Sequence, residues 1–402
     1  MKLEQQNDLH TALQESSKLP KGFGLSALKI GYDGKRAANN LTGLGNYSRS
    51  LIEQLAVIYP SHNFYIYTTK IKENLLQLPL FKLDNVHLKL AKVKGLAQVI
   101  WRSFSVKKQL IKDQINLFHG LSHEIPFGIQ HTQVKSVVTI HDLIFLRMPQ
   151  LYKLIDRKIY TFKSRYACVN ADRIIAISEC TKKDIIELYN ISPSKIDVVY
   201  QSCDDIFKKP LTEEAKKSAR EKYQLPEHYI LSIGTIEARK NLGLIIDALP
   251  HINENYKLVV IGKETSYAAL IKEKIKSKNL ENRVIFLKNV PFSDFPAIYQ
   301  NASLFIYPSR YEGFGIPIIE ALYSKVPVIA ATGSCLEEAG GPDSLYIQPD
   351  DPDTLAKTSN HVLSDPALAQ QMQHKGYEYV QKFNNNLVAH NLMNCYLKTL
   401  SN

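Results

Sequence analysis

Short, nearly uninterrupted apolar runs recur along the chain, separated by longer stretches in which apolar residues return every three or four positions. Runs at 28–33, 63–68, 86–91, 116–119, 136–141, 173–177 and 196–200 fill the first half. Runs at 229–234, 257–262, 283–287, 303–307, 326–331 and 344–347 fill the second. They are rich in Val, Ile and Leu. Strands of that kind are covered on both faces, which predicts parallel sheets clothed by helices. A last segment, 385–400, carries Leu387, Leu392, Tyr396 and Leu400 at near-helical spacing and predicts a terminal helix.

The rhythm breaks once. From Cys203 to Pro226 the sequence is dense in Lys and Glu and ends on Leu225-Pro226, just before a fresh strand. This reads as a linker with a surface helix. The expected fold class is α/β, with two Rossmann-like α/β/α domains facing across a cleft. The expected divisions are a polar extension 1–27, a first domain 28–205, a second domain 206–384, and a terminal helix 385–402 packing back towards the first domain.

Composition narrows the picture. A chain of 402 residues fits two domains, and 45% hydrophobic with 22% charged residues is ordinary for a globular protein. The five cysteines (Cys168, Cys180, Cys203, Cys335, Cys395) lack metal or redox spacing, so a reducing compartment and core positions are expected. Residues 1–27 have no apolar core of a signal peptide, and no window approaches 18 apolar residues. The net charge of +11 favours anionic partners. Nucleic acid is not expected, because the cations are dispersed and no nucleic-acid module is recognised. One concentration stands out: Lys89, Lys92, Lys94, Arg102, Lys107, Lys108 and Lys112, interleaved with apolar Leu96, Val99, Ile100, Trp101, Phe104, Val106 and Leu110. The 89–112 segment reads equally as a solvated helix face or as a patch for an anionic membrane surface.

Four constellations could carry chemistry. Gly43 and Gly45 open a helical stretch soon after a strand, where backbone N–H groups can meet a phosphate. Arg239 and Lys240 follow Gly234 at the end of another strand, just before Asn241, a candidate N-cap. Glu312 lies on a glycine loop after the strand at 303–307, and Glu320 is expected in the first turn of the next helix, with Pro317 near its start. With seven residues between them across a loop–helix boundary, the two carboxylates suit separate hydroxyl contacts better than a shared proton. Helix-dipole stabilisation is a bland reading for Glu320 but not for Glu312. His119 and His141 stand at strand ends, His141 being the stronger candidate. No third residue has metal-ligand spacing with them.

With these residues in view, the chain resembles the GT-B-fold retaining glycosyltransferases of family 4, also called glycosyltransferase group 1. The likeness runs from about residue 28 to the C-terminus and is most specific at Glu312-Gly-Phe-Gly-Ile-Pro-Ile-Ile-Glu320, which looks like the family's E-x7-E motif. Arg239-Lys240-Asn241, the segment 170–178 and the Gly43/Gly45 loop also match. The resemblance implies that Arg239 and Lys240 hold the diphosphate of a nucleotide sugar beside Gly234, and that Glu320 takes the ribose hydroxyls. It implies that Glu312 and the backbone of Phe314, Gly315 and Ile316 hold the donor sugar, and that backbone near Val290 meets the base. Gly43, Gly45 and His119 would line the phosphate and acceptor side, with His141 near the reacting centre. Two departures bear on donor identity: Thr235 stands where many members have arginine, and Asn289 replaces a common glycine.

The expected activity is retaining, metal-independent transfer of a hexose or deoxyhexose without a cofactor. The donor would be GDP- or UDP-linked, with a mannose-type sugar favoured, and the acceptor a glycan or lipid-linked glycan in surface polysaccharide (lipopolysaccharide) synthesis. The expected location is cytoplasmic, peripheral on the inner membrane face if the 89–112 patch binds lipid. The alternatives are another enzyme on this scaffold, an epimerase or a phosphorylase, and a non-catalytic nucleotide-binding protein.

Overall fold

The structure is a computed structural model describing residues 27–41 and 43–401. The polar extension 1–27 thus lies outside the described residues, Ala27 excepted.

A strand forms at each of the apolar runs. β1 (Lys29–Asp33), β2 (Asn63–Thr68), β3 (Val86–Leu90), β4 (Leu117–Gly120), β5 (Lys135–Ile140), β6 (Arg173–Ala176) and β7 (Ile196–Val198) make one sheet, ordered β3-β2-β1-β4-β5-β6-β7. β8 (Tyr229–Ile233), β9 (Lys257–Ile261), β10 (Val284–Leu287), β11 (Leu304–Tyr307), β12 (Val328–Ala331) and β13 (Leu345–Ile347) make a second, ordered β10-β9-β8-β11-β12-β13. The register is parallel. Ile30 lies opposite Phe64 and Leu117 in the first sheet, and Leu231 opposite Val259 and Phe305 in the second. The expected α/β class with parallel sheets is what forms.

The second sheet shows why its strands are apolar throughout. Ile230, Leu258, Val260, Leu304 and Ile306 enter one core cluster, while their neighbours Leu231, Val259, Phe305 and Tyr307 enter another on the opposite face. The pleat sends alternate side chains to both faces, and both are covered. The winding reverses at β8, whose neighbours are β9 and β11. The loops leaving β8 and β11 diverge there, and such a switch point opens a crevice at the strands' carboxyl ends.

The chain divides into two compact units: Met1–Val138 with Asn170–Arg173 and Asn386–Asn402, and Thr139–Val169 with Ile174–Asn385. The sequence changes character near 205, yet residues 139–169 and 174–205 pack with the second unit. His141 and Ser178, described below, are tied to the Gly313 loop and hold that segment there.

In the first unit, the C-terminal helix (Asn385–Ser401) buries Tyr396 completely. The Tyr396 hydroxyl is 2.6 Å from His119 Nδ1, and His390 Nδ1 is 2.6 Å from the Tyr59 hydroxyl. His119 is therefore a core residue with no exposed surface, and it anchors the helix. The sequence placed it at a substrate edge; burial corrects that. In the charged segment, the helix Glu213–Lys222 starts where the Thr212 hydroxyl accepts from Ala215 N. Acids in its first turn and cations in its last suit the helix dipole.

The 89–112 segment sorts its residues by side. Val106 and Leu110 are buried, while Leu96, Val99, Ile100 and Phe104 are exposed beside exposed Lys92, Lys94, Lys108 and Lys112. Arg102 is not part of that cationic surface. It pairs with Asp33 at 2.8 Å and with Glu124, and is largely buried.

Candidate functional site

Two loops at the switch point of the second sheet build the site. The loop after β8 runs through Gly234 into a 3₁₀ turn, Ala238–Lys240, which presents Arg239 and Lys240. Asn241 follows in a left-handed conformation and makes no side-chain cap. Its amide instead donates to the carbonyls of Pro308 (3.2 Å) and Pro349 (2.7 Å), tying this loop to the one after β11. Asn241 thus takes the expected N-cap position of the helix Leu242–Ala248 but does not cap it with its side chain. Backbone joins the loops as well, with Arg310 N donating to Arg239 O at 2.9 Å.

Glu312 is the hub. Its Oε1 receives Lys240 Nζ at 2.5 Å, the Ser309 hydroxyl at 2.6 Å and the Tyr307 hydroxyl at 3.2 Å. Its Oε2 receives Arg239 Nη1 at 2.7 Å. Burial would push this carboxyl up, but Lys240 and Arg239 outweigh it and hold the pKa down at about 2. Arg239 also pairs with Glu237 at 2.8 Å and donates to Tyr311 O at 2.6 Å. Lys240 meets the Tyr307 hydroxyl at 2.6 Å. The sequence treats the two cations and Glu312 as separate features. The fold makes them one part-buried cluster with a net charge of +1, or zero if the more exposed Glu237 is included.

His141 follows β5 and reaches the same loop. An ideal Cβ at Gly313 would lie 2.0 Å from the His141 carbonyl oxygen, so only glycine fits there. The Ser178 hydroxyl donates to Gly313 O at 2.7 Å, and Thr181 Oγ1 lies 3.3 Å from Gly313 O and 3.4 Å from His141 O. His141 Nδ1 is 3.1 Å from Gln201 Nε2, and both residues are buried. Burial raises the Asp142 pKa; Ile144 N, His141 and Arg239 oppose that rise, and Glu312 adds to it. The structure thus brings Arg239, Lys240, Glu312 and His141 together.

Glu320 sits elsewhere in the motif. The helix Ile316–Tyr323 starts after Gly315, so Glu320 is its fifth residue and occupies the second turn. The first-turn expectation is corrected, and helix-dipole stabilisation of a first-turn acid does not apply. The side chain is buried, and Tyr299 donates to its Oε2 at 2.9 Å. No cation pairs with it among the described residues. Burial pushes its pKa up to about 8, with the Tyr299 hydrogen bond opposing and Asp204 adding.

Phe314 is buried, stacked on Tyr200 at 5.5 Å and edge-to-face with Phe383 at 5.3 Å between ring centroids, so only its backbone can face a ligand. Cys335 Sγ donates to the carbonyls of Phe314 and Glu312 and steadies the loop before Ile316. Val290 lines a cavity of about 480 Å³ at the ends of β9 and β10, with Lys263, Glu264, Phe286 and Asn289. A smaller hollow at the end of β8 is lined by Gly234, Thr235, Lys240 and Tyr307.

In the first unit, Gly43 is exposed at the start of the helix Gly43–Ile58, with open space around it. Gly45 is buried, and a Cβ there would meet the Asn40 carbonyl oxygen at 1.9 Å. Close packing explains Gly45, and only Gly43 is open to a ligand. Among the described residues no group of three His, Cys, Asp or Glu side chains is arranged to hold a metal.

Sequence reasoning missed Tyr299, Tyr307, Ser309, Gln201, Ser178 and Thr181 as site residues. Tyr307 and Ser309 lie within five residues of Glu312 in the sequence. The others act on partners between 21 and 135 positions away, and local pattern carries no signal for such pairs.

The chain is similar to known proteins over most of its length. The family described as Glycosyltransferase Family 4 matches residues 41–205, and that described as Glycosyl transferases group 1 matches residues 213–379. The chain is 28% identical over 362 residues to the O-antigen chain mannosyltransferase B of Escherichia coli, covering 85% of this chain and 92% of that protein. It is 26% identical over 296 residues to the O-antigen chain mannosyltransferase RfbU of Salmonella typhimurium, covering 69% and 78%. Among solved structures, a sucrose-phosphate synthase from Thermosynechococcus elongatus matches with a TM-score of 0.76 at 21% identity, over 93% of this chain and 99% of that one. A glycosyltransferase from Rickettsia africae matches with a TM-score of 0.73 at 20% identity, over 94% and 100%. At these identities the structural likeness speaks for the fold.

Proposed function

The chain belongs to the group 1 glycosyltransferases of family 4, with their two-domain GT-B fold, and from this we propose that it moves a mannosyl residue, with retention, from GDP-mannose to a glycan or lipid-linked glycan in surface polysaccharide synthesis. The observation that carries the reading is the cluster of Arg239, Lys240 and Glu312 at the switch point. The curated relatives named as O-antigen mannosyltransferases support the choice of sugar and context.

In this reading Arg239 and Lys240 take the diphosphate and exchange part of their pairing with Glu312 for phosphate oxygens. Glu312 then turns to the donor sugar, together with backbone N–H groups at Phe314–Ile316. Glu320 accepts from the ribose hydroxyls, and the base enters the cavity at Val290. The bond from the anomeric carbon to phosphate breaks, and its electron pair goes to the phosphate oxygen. The acceptor oxygen bonds to the anomeric carbon on the same face, and its proton passes to the departing phosphate. Arg239 and Lys240 stabilise the charge that develops there. His141 donates to a substrate oxygen near the reacting centre, and Gly43 borders the acceptor side. No step in this scheme requires a divalent metal.

The exposed apolar and basic 89–112 patch supports peripheral attachment to an anionic membrane, on the cytoplasmic side where nucleotide sugars are made available. No helix among the described residues is long and apolar enough to cross a membrane. The experiment is a thermal-shift panel of GDP-mannose, GDP-fucose, UDP-glucose and UDP-galactose, followed by transfer assays with and without EDTA. GDP-mannose is expected to raise Tm most. A preference for a uridine donor overturns the choice of sugar donor, no shift with any of them overturns the reading, and activity abolished by EDTA overturns the metal-free scheme.

A further inference from the structure

We propose that the helix Leu154–Asn170 is a second interfacial docking element for an anionic lipid bilayer, an inference that deepens the membrane attachment read from the 89–112 patch and does not depend on the transfer activity. The helix packs Ser164, Ala167 and Cys168 inward. On its outer side, Ile155 is 72% exposed, Ile159 46%, Phe162 63% and Val169 51%. With half-buried Tyr166, these positions follow one another at intervals of four, three, four and three residues, which places them in one stripe along the helix. A contiguous exposed apolar stripe of this kind marks an interaction surface.

Charge decides the occupant. The helix carries Arg157, Lys158, Lys163 and Arg165 against the single acid Asp156. Lys158 and Arg165 are exposed and lie along one edge of the stripe. The stripe has the spacing of a coiled-coil seam, so a second copy of the chain is the competing occupant. Antiparallel self-pairing would set Lys158 and Arg165 against their own copies, and parallel self-pairing would set Lys158 against Lys163; both arrangements repel. An anionic headgroup layer accepts the cations while the apolar stripe enters the acyl boundary. The helix is not apolar enough to span, which fits an element lying in the surface.

The test is flotation of the full chain with vesicles of equimolar phosphatidylglycerol and phosphatidylcholine, and with phosphatidylcholine alone. Wild type is expected to bind the anionic vesicles, with binding that weakens as salt rises. Ile155→Ser with Phe162→Ser should lower the bound fraction about tenfold. Lys158→Glu with Arg165→Glu should lower it about fivefold and flatten its salt dependence. The 89–112 patch remains intact in both variants, so its contribution is held constant. All four side chains face solvent, and an unchanged Tm confirms folding. If the serine variant fails to fold, the charge variant decides alone. No binding by wild type, or wild-type binding by the charge variant, overturns the proposal. A dimer that the charge variant strengthens, seen by light scattering without vesicles, also overturns it and assigns the stripe to a second copy.

Discussion

Tyr299 donates its phenolic hydrogen to Glu320 at 2.9 Å, and that bond is the carboxyl group's polar anchor in an otherwise enclosed setting. Burial pushes the Glu320 pKa up to about 8, against about 4.3 for an unfolded glutamate. Between those values the folded chain holds a proton that the unfolded chain releases. Stability conferred by the neutral carboxyl is complete below about pH 4.3, falls as pH rises, and levels off above pH 8. Glu320→Gln should remove this dependence. Its Tm should equal that of wild type near pH 4 and exceed it at pH 9, by the equivalent of roughly 5 kcal/mol. Parallel Tm curves for the two proteins from pH 5 to 9 would refute the account.

The same proton reports on ligand binding. Ribose hydroxyls donate to a carboxylate, so nucleotide binding would favour the ionised form and expel the proton below pH 8. Calorimetry of GDP at pH 7 in buffers of different ionisation enthalpy should show proton release, and Glu320→Gln should show none. Buffer-independent enthalpy in wild type would place the ribose elsewhere.

Glu312 neutralises part of the charge that the proposed diphosphate would need. In Glu312→Gln, Arg239 and Lys240 lose their shared anion in a partly buried setting, which should cost about 3 kcal/mol of stability in the free protein. Added GDP should restore more Tm in this variant than in wild type, because the diphosphate supplies the missing charge. Transfer should fall about 100-fold, since the donor sugar loses its carboxylate contact. A smaller GDP-induced shift than in wild type would argue that the two cations do not meet the phosphates.

Much of this was legible in the sequence, and what was not shares one cause. Strand positions could be read because continuous Val, Ile and Leu runs have few other uses in a soluble chain. The 307–320 stretch could be read because glycines, a proline and two acids crowd one strand end. His119 looked like a ligand because its partner, Tyr396, is 277 positions away. Arg102 looked like a surface cation because Asp33 and Glu124 lie far off in sequence. Asn241 looked like a cap because nothing local shows its bond to Pro349. Glu320 could have been placed by counting, since a helix opening at Ile316 puts its fifth residue beyond the first turn.

Gly313 sets the approach of the Glu312 loop to His141. Gly313→Ala must displace one of two backbones, because its Cβ would sit 2.0 Å from the His141 carbonyl oxygen. A loss of about 2 kcal/mol or more in urea unfolding is expected, from the strain class of core substitutions. Gly43→Ala, with open space around it, should change stability by less than about 0.5 kcal/mol. Equal effects at the two positions would contradict the packing described for the loop.

The last prediction concerns Gln201 and His141, 3.1 Å apart and both buried. The Gln201 amide nitrogen can only donate, so Nδ1 of His141 accepts and its proton resides on Nε2. In the role proposed for His141, Nε2–H would donate to a substrate oxygen. Gln201→Glu reverses the polarity, because a carboxylate accepts only and requires a hydrogen on Nδ1. Nitrogen NMR of the ring should show the Nε2–H tautomer in wild type and a protonated Nδ1 in Gln201→Glu. Donor KM should change little, while kcat should fall by about tenfold or more with its pH profile displaced. Gln201→Leu, which neither donates nor accepts, should lose the tautomer preference and fall between the two. An Nδ1–H signal in wild type, or identical spectra in all three proteins, would remove Gln201 from the positioning of His141.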